Sequence, residues 1–170
     1  VPTLVFSKGV TAVSMGDYHG CAIVGGQLWC WGWNRFGQCA DFRSATSVGI
    51  SDFQRAPSLM TAFTVVSRNF ELSYGSLGEY HACAIESSRL KCWGYNAQGQ
   101  LGIGSNSWTP SMAPQNTIAL QSPVAAVTCG ASTTCAIAGS SRIAYCWGLN
   151  DVGQLGDKSV INRASPVYVV

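Results

Sequence analysis

Hydrophobic positions in this chain come in short runs of strand length, punctuated by turn residues. The clearest case is Cys21-Ala-Ile-Val24, then Gly25-Gly26, then Gln27-Leu-Trp-Cys30. Two such runs around a Gly-Gly pair predict a β-hairpin, because glycine supplies the positive φ that primed two-residue turns require. Counting outward from the turn sets Val24 against Gln27, Ile23 against Leu28, Ala22 against Trp29 and Cys21 against Cys30. The pair beside the turn is hydrogen-bonded and pairs then alternate, so the two cysteines fall on a non-hydrogen-bonded pair, where side chains approach most closely.

The same pattern returns twice. Cys83-Ala-Ile reaches Cys92 across Ser87-Ser88, and Cys135-Ala-Ile reaches Cys146 across a longer loop, Gly139 to Arg142. The third unit is longer by two residues, yet Cys135 still faces Cys146. Each hairpin runs on into Trp-Gly-x-Asn and then Gly-Gln: Trp31 to Gln38, Trp93 to Gln100 and Trp147 to Gln154. Upstream, Val10-x-x-Val13-x-x-Gly16 recurs as Val124-x-x-Val127-x-x-Gly130, blurred in the middle copy between Leu72 and Gly78. Recurrence at a fixed period signals stacked or radial repeats. The repeats run approximately over residues 7–61, 62–120 and 121–170 of a single repeat domain.

Composition narrows the picture. Of 170 residues, 47% are apolar and only 11% charged, against roughly 25% charged in ordinary globular proteins. A net charge of +2 without a basic cluster argues against nucleic acid as a partner, since its binding needs convergent Lys and Arg. No run approaches the ~18 apolar residues of a membrane span. Val1 in place of an initiator Met suggests a processed product or part of a longer polypeptide. Eight cysteines, six of them facing in pairs, predict disulfides Cys21–Cys30, Cys83–Cys92 and Cys135–Cys146 and hence a secreted or cell-surface setting. Each bridge closes a loop worth roughly 2–3 kcal/mol by the chain-entropy argument. Cys39 and Cys129 are left over, and a bridge between them is a further option. No Asn-x-Ser/Thr sequon supports secretion independently.

Trp-Gly-x-Asn-x-x-Gly-Gln-Leu-Gly, intact at Trp93–Gly102 and Trp147–Gly156 and broken at Cys39-Ala40 in the first copy, resembles the signature of the regulator-of-chromosome-condensation repeat family. Gly16-x-x-His-x-Cys-Ala-Ile and Gly78-x-x-His-x-Cys-Ala-Ile match as well. The resemblance implies an all-β fold of three tandem propeller blades of antiparallel strands, an arc or part of a larger ring of about seven. The disulfides make it similar to the secreted bacterial members and to crinkly-type receptor ectodomains. On that view Ser165–Val170 and Val1–Phe6 read as strands leading into a repeat.

Candidate chemistry is sparse. His19 and His81 repeat at one position, which points to a structural hydrogen bond inside each blade rather than a metal site. Asn34, Asn96 and Asn150, with Gln38, Gln100 and Gln154, are suited to pairing loop backbone. Trp31, Trp93 and Trp147 read as inter-blade core, and Trp29, Lys91 and Tyr145 as lying on the strand face opposite the bridges. Trp33 and Tyr95 occupy a position that varies from unit to unit, which suits ligand contact better than a fixed one. Trp108 stands in a polar stretch, as a contact point or an anchor on a neighbouring blade. Segments 41–61 and 103–118 break the repeat and would carry recognition. In the first of these Arg43 and Arg55 are candidate binding residues.

No nucleophile elbow, phosphate loop or metalloprotease motif appears, so neither catalysis nor a cofactor is expected. The reading is a non-enzymatic extracellular scaffold that binds protein or glycan through variable loops. One alternative is a structural subunit whose further copies join through blade edges into a filament or coat. A second carries over the family's nucleotide exchange on a Ran-like GTPase; it expects reduced cysteines and a basic surface, and the sequence offers neither.

Overall fold

In a computed structural model, residues 6–39, 53–59, 75–120 and 123–170 are described; for 53–59 and 75–76 the backbone alone is. Blade 1 comprises β1 (Val10–Met15), β2 (His19–Val24), β3 (Gln27–Trp33) and β4 (Phe53–Leu59). Blade 2 comprises β5 (Gly75–Leu77), β6 (His81–Glu86), β7 (Arg89–Asn96) and β8 (Ser107–Asn116). Blade 3 comprises β9 (Val124–Cys129), β10 (Thr133–Ala138), β11 (Ile143–Gly148) and β12 (Arg163–Tyr168). Each blade is an antiparallel sheet whose spatial order follows chain order. The fold is all-β, an arc of propeller blades.

Turn chemistry sets the register of the central hairpins. Gly25 and Gly26 have φ of 59° and 78°, and Ser87 and Ser88 reach 49° and 63° without glycine's freedom. Both turns leave Cys21 opposite Cys30 and Cys83 opposite Cys92, and the Gly139–Arg142 loop leaves Cys135 opposite Cys146. Disulfides join all three pairs, each across a Cα separation of 4.1 Å.

The outermost strands of the three blades share a bulge at one equivalent place, and β8 has a second nearer its start. Three residues stand opposite a single tryptophan: Arg55-Ala-Pro57 opposite Trp31, Met112-Ala-Pro114 opposite Trp93, and Ala164-Ser-Pro166 opposite Trp147. Proline has no N–H to give a ladder, so within a sheet it is confined to edges and bulges, and here it occupies both. Residues 103–118 are thus no mere insertion, since they contain β8. Ser165–Tyr168 likewise completes blade 3 rather than opening a new unit.

Adjacent blades pack the bridge face of one on the tryptophan face of the next. Between blades 1 and 2, Cys21, Ile23, Leu28, Cys30 and Cys39 meet Leu77, Ala82, Ala84 and Trp93. Between blades 2 and 3, Cys83, Ile85, Leu90, Cys92 and Leu101 meet Val124, Val127, Ala136, Tyr145 and Trp147. The Trp93 indole N–H donates to the Gln38 carbonyl at 2.8 Å and Trp147 to the Gln100 carbonyl at 2.9 Å, so each seam buries a satisfied indole. Gly37 and Gly99 press onto the bulge of the following blade: a Cβ there would lie 2.9 Å from Met112 Cα and 2.6 Å from Ala164 Cα. Trp31 differs from its two equivalents. It lies on the face of blade 1 turned away from blade 2, half-buried, with the Phe6 ring 6.5 Å away.

Cys39 and Cys129 do not bridge each other. Cys39 is buried in the first seam and Cys129 packs against the second, with blade 2 between them.

Candidate functional site

Below the rim, the repeated polar residues fasten each loop. Asn34, Asn96 and Asn150 each accept through Oδ1 the N–H of the residue five positions on, at 2.7, 3.0 and 2.9 Å. Gln38, Gln100 and Gln154 accept through Oε1 the N–H two positions back, at 2.9, 3.0 and 3.0 Å. One more bond fixes the loop before β2, β6 or β10 to the end of the hairpin: Trp33 N–H donates to Tyr18 O, Tyr95 to Tyr80 and Leu149 to Ser132, at 2.8, 2.9 and 2.9 Å. This scaffold dictates which side chains share a rim.

On blades 1 and 2 those side chains are aromatic. Tyr18 and Trp33 lie 5.6 Å apart, centroid to centroid, and Tyr80 and Tyr95 6.0 Å apart. Blade packing joins the two pairs through Phe36, which is 5.5 Å from Trp33, 5.4 Å from Tyr80 and 4.8 Å from Tyr95. Trp33 also meets Tyr80 at 5.4 Å. Trp108, at the start of β8, closes the row 6.1 Å from Tyr95. Most pairs meet edge to face, the arrangement the ring quadrupole favours. Trp108 is 79% exposed and Tyr18 57%, while the other four rings are half-buried.

Trp33, Tyr95 and Trp108, scattered in sequence, are therefore neighbours in one row. Sequence reasoning missed Tyr18, Phe36 and Tyr80. The signal for two of them was present, since Asp17-Tyr18-His19 recurs as Glu79-Tyr80-His81. The Tyr80 hydroxyl is pushed up to about 12, first by its hydrogen bond to Glu79, then by burial and by the charges of Glu79, Tyr18 and Asp17. Arg43 lies outside the described residues. Arg55 is in the β4 bulge, and only its backbone is described.

His81 bonds to the next blade rather than inside its own. His81 Nε2 lies 2.8 Å from the Thr134 hydroxyl of blade 3, which in turn donates to the Gln100 carbonyl at 2.8 Å. At the equivalent of Thr134, blade 2 has Ala82, and both ring nitrogens of buried His19 lack a hydrogen-bond partner among the described residues. Burial lowers His19 to about 4, against a partial pull upward from Asp17, and lowers His81 to about 3. His81, Cys83 and Cys129 bring a ring nitrogen and two sulfurs within 4.8 Å of one another. The Cys83 sulfur is held in its bridge to Cys92, so this group is not a set of thiolate ligands. No described helix is long and apolar enough to cross a membrane.

Repeated four-stranded blades with a fixed loop skeleton and a variable rim define a propeller of the repeat type. Family comparison agrees. Two models, both of the regulator of chromosome condensation (RCC1) repeat, match residues 89–137 and residues 10–38 and 124–154, together more than half of the chain. The chain belongs to the RCC1 repeat family. Among curated proteins it is 32% identical over 162 residues to the mouse probable E3 ubiquitin-protein ligase HERC4, spanning 92% of this chain and 14% of that one. It is 36% identical over 97 residues to human HERC3, spanning 55% of this chain and 9% of that one. The chain thus covers a small part of these relatives' length.

Solved structures agree on fold. Yeast RCC1 (Prp20), crystallised bound to Kap60, superposes with a TM-score of 0.80 at 18% identity, covering 96% of this chain and 37% of that one. A second structure of Prp20p from Saccharomyces cerevisiae, reported with its binding properties to Gsp1p and histones, gives 0.79 at 19% identity, covering 96% and 39%. Human WBSCR16 gives 0.73 at 22% identity, covering 95% and 39%.

Proposed function

We propose that this chain is a binding scaffold that docks a protein through the aromatic rim of blades 1 and 2. One observation carries the reading: six aromatic rings form a continuous row, five of them at repeat positions that the blade backbone does not need to be aromatic, since blade 3 holds the same backbone with Ser132, Leu149 and Val152. Exposed aromatics on a rigid frame are the usual anchors of protein interfaces, because they offer a large contact area at small entropic cost. That yeast Prp20 was crystallised bound to Kap60 supports a protein as the partner class. The three bridges favour an oxidising compartment, and secretion or surface display remains part of the proposal. Screening peptide and glycan libraries against the parent chain and Trp33→Ala and Trp108→Ala tests it: loss of the hits in both variants is expected, and undiminished binding in both removes the rim from the site.

A second reading, assembly with further blades or copies, has its own support. The face of blade 1 turned away from blade 2 exposes Val13 by 66% and Met15 by 62%, at the positions where blade 3 buries Val127 and blade 2 buries Leu77. Concentration-dependent mass by light scattering tests it, and a constant monomer mass at high concentration rules it out.

A further inference from the structure

The rim carries charge as well as aromatic surface, and the two occur together. Asp17 immediately precedes Tyr18 and Glu79 immediately precedes Tyr80, whereas blade 3 has Ala131-Ser132, without either acid or ring. In a chain with only 11% charged residues, two acids and one arginine, Arg35, adjoin rings of this row in sequence, a net negative charge. Both acids bear on the same phenol: Tyr80 hydrogen-bonds to Glu79 and feels the charges of Glu79 and Asp17, every one of which acts in the same direction. The ring faces add negative potential from their quadrupoles.

Building on the rim as the binding surface, we infer that its ligand is cationic: an arginine- or lysine-bearing peptide segment whose charged head sits among Tyr18, Trp33, Tyr80 and Tyr95 and pairs with Asp17 and Glu79. A guanidinium can stack on a ring face and donate to a carboxylate with the same planar group. A neutral ligand would cover the exposed Asp17 carboxylate without pairing it, which costs affinity. Selectivity then comes from charge and position from the aromatic walls. The proton that Tyr80 shares with Glu79 stays on the phenol at neutral pH, because its pKa is near 12.

The test is a chemical-shift titration of the full 170-residue chain, reading the indole signals of Trp33 and Trp108. The probes are a capped Gly-Arg-Gly-Arg-Gly peptide, its citrulline twin (the same shape without the charge), a Gly-Glu-Gly-Glu-Gly peptide and chitotriose. The arginine peptide is expected to bind at least about tenfold more tightly than the citrulline twin, and Glu79→Gln and Asp17→Asn each to weaken it about threefold. Comparable titration by citrulline, glutamate or chitotriose probes overturns the cationic assignment while leaving the rim as a binding surface. If no probe moves either indole, both the assignment and the rim reading fall. Trp108→Ala, at a ring exposed enough to lose without unfolding, keeps the result readable should Trp33→Ala prove unstable.

Discussion

The rims of blades 1 and 2 and the rim of blade 3 rest on the same loop skeleton and diverge in everything attached to it. Where blades 1 and 2 hold Trp33 and Tyr95 after the hairpin glycine, blade 3 holds Leu149; where they hold Tyr18 and Tyr80, it holds Ser132. Blade 3 instead closes its loop with hydrogen bonds. The Asn150 side-chain amide donates to the carbonyls of Ser159 and Ile161 at 3.0 and 3.1 Å, and to Asp157 at 3.1 Å. Arg163 donates to the other oxygen of Asp157 at 2.8 Å. Its polar groups satisfy one another, whereas the aromatic row is held mainly by ring contacts and leaves surface uncovered. The difference teaches that the fold needs only the backbone clamp, and the side chains above it are available for recognition.

The sharpest way to break this comparison is to exchange rim and core tryptophans. Trp93→Ala and Trp147→Ala remove buried indoles from the seams and are expected to cost about 3–5 kcal/mol each in urea denaturation. Trp108→Ala should cost under about 0.5 kcal/mol. Equal losses at Trp93 and Trp108 would mean that the rim is structural.

Acid separates the seams next. His19 and His81 are held at about 4 and about 3, chiefly by burial, below the ordinary 6.5. The unfolded chain therefore takes up protons first as pH falls. Stability is complete above about pH 6.5 and declines below it, by up to about 1.4 kcal/mol per pH unit for each histidine, until the folded values are reached. Urea midpoints at pH 7.5 and pH 5 check this, and a flat profile contradicts it. Asn150→Ala should cost about 2 kcal/mol, since it strands the Leu155 N–H and two carbonyl acceptors in the blade 3 loop; a change below about 0.5 kcal/mol would refute that network.

Ala82→Ser probes a smaller asymmetry. It offers His19 the hydroxyl that Thr134 gives His81, and a gain of roughly 1 kcal/mol at pH 7 is expected by thermal or urea melting. A loss would show that the first seam has no room for the oxygen. The mildest change is Leu149→Tyr with Ser132→Tyr. It should leave stability within about 0.5 kcal/mol and add rings to the row, detectable as stronger binding of the arginine peptide.

Much of the fold was legible because it is written locally and three times over. Gly25-Gly26 fixes a turn, the turn fixes a register, and the register fixes which cysteines face each other. The outer strands were harder to read. Ala56-Pro57, Ala113-Pro114 and Ser165-Pro166 repeat as clearly as the hairpins, but proline argues against a strand until the strand is known to be an edge with a bulge. The stretch around Trp108 reads as a polar loop for the same reason, although Trp108 is the second residue of β8.

What the sequence determined by itself is therefore the blade: its hairpin, its cysteine pairing and its loop-fastening Asn and Gln, all set by neighbours within about thirty residues. The tertiary structure alone decided what lies between blades. It brought Trp33 and Phe36 to Tyr80, gave His81 a partner in Thr134 and left His19 without one among the described residues, and kept Cys39 and Cys129 in separate seams. Those contacts depend on how one sheet face sits on the next, a rigid-body relation that no single strand pattern encodes.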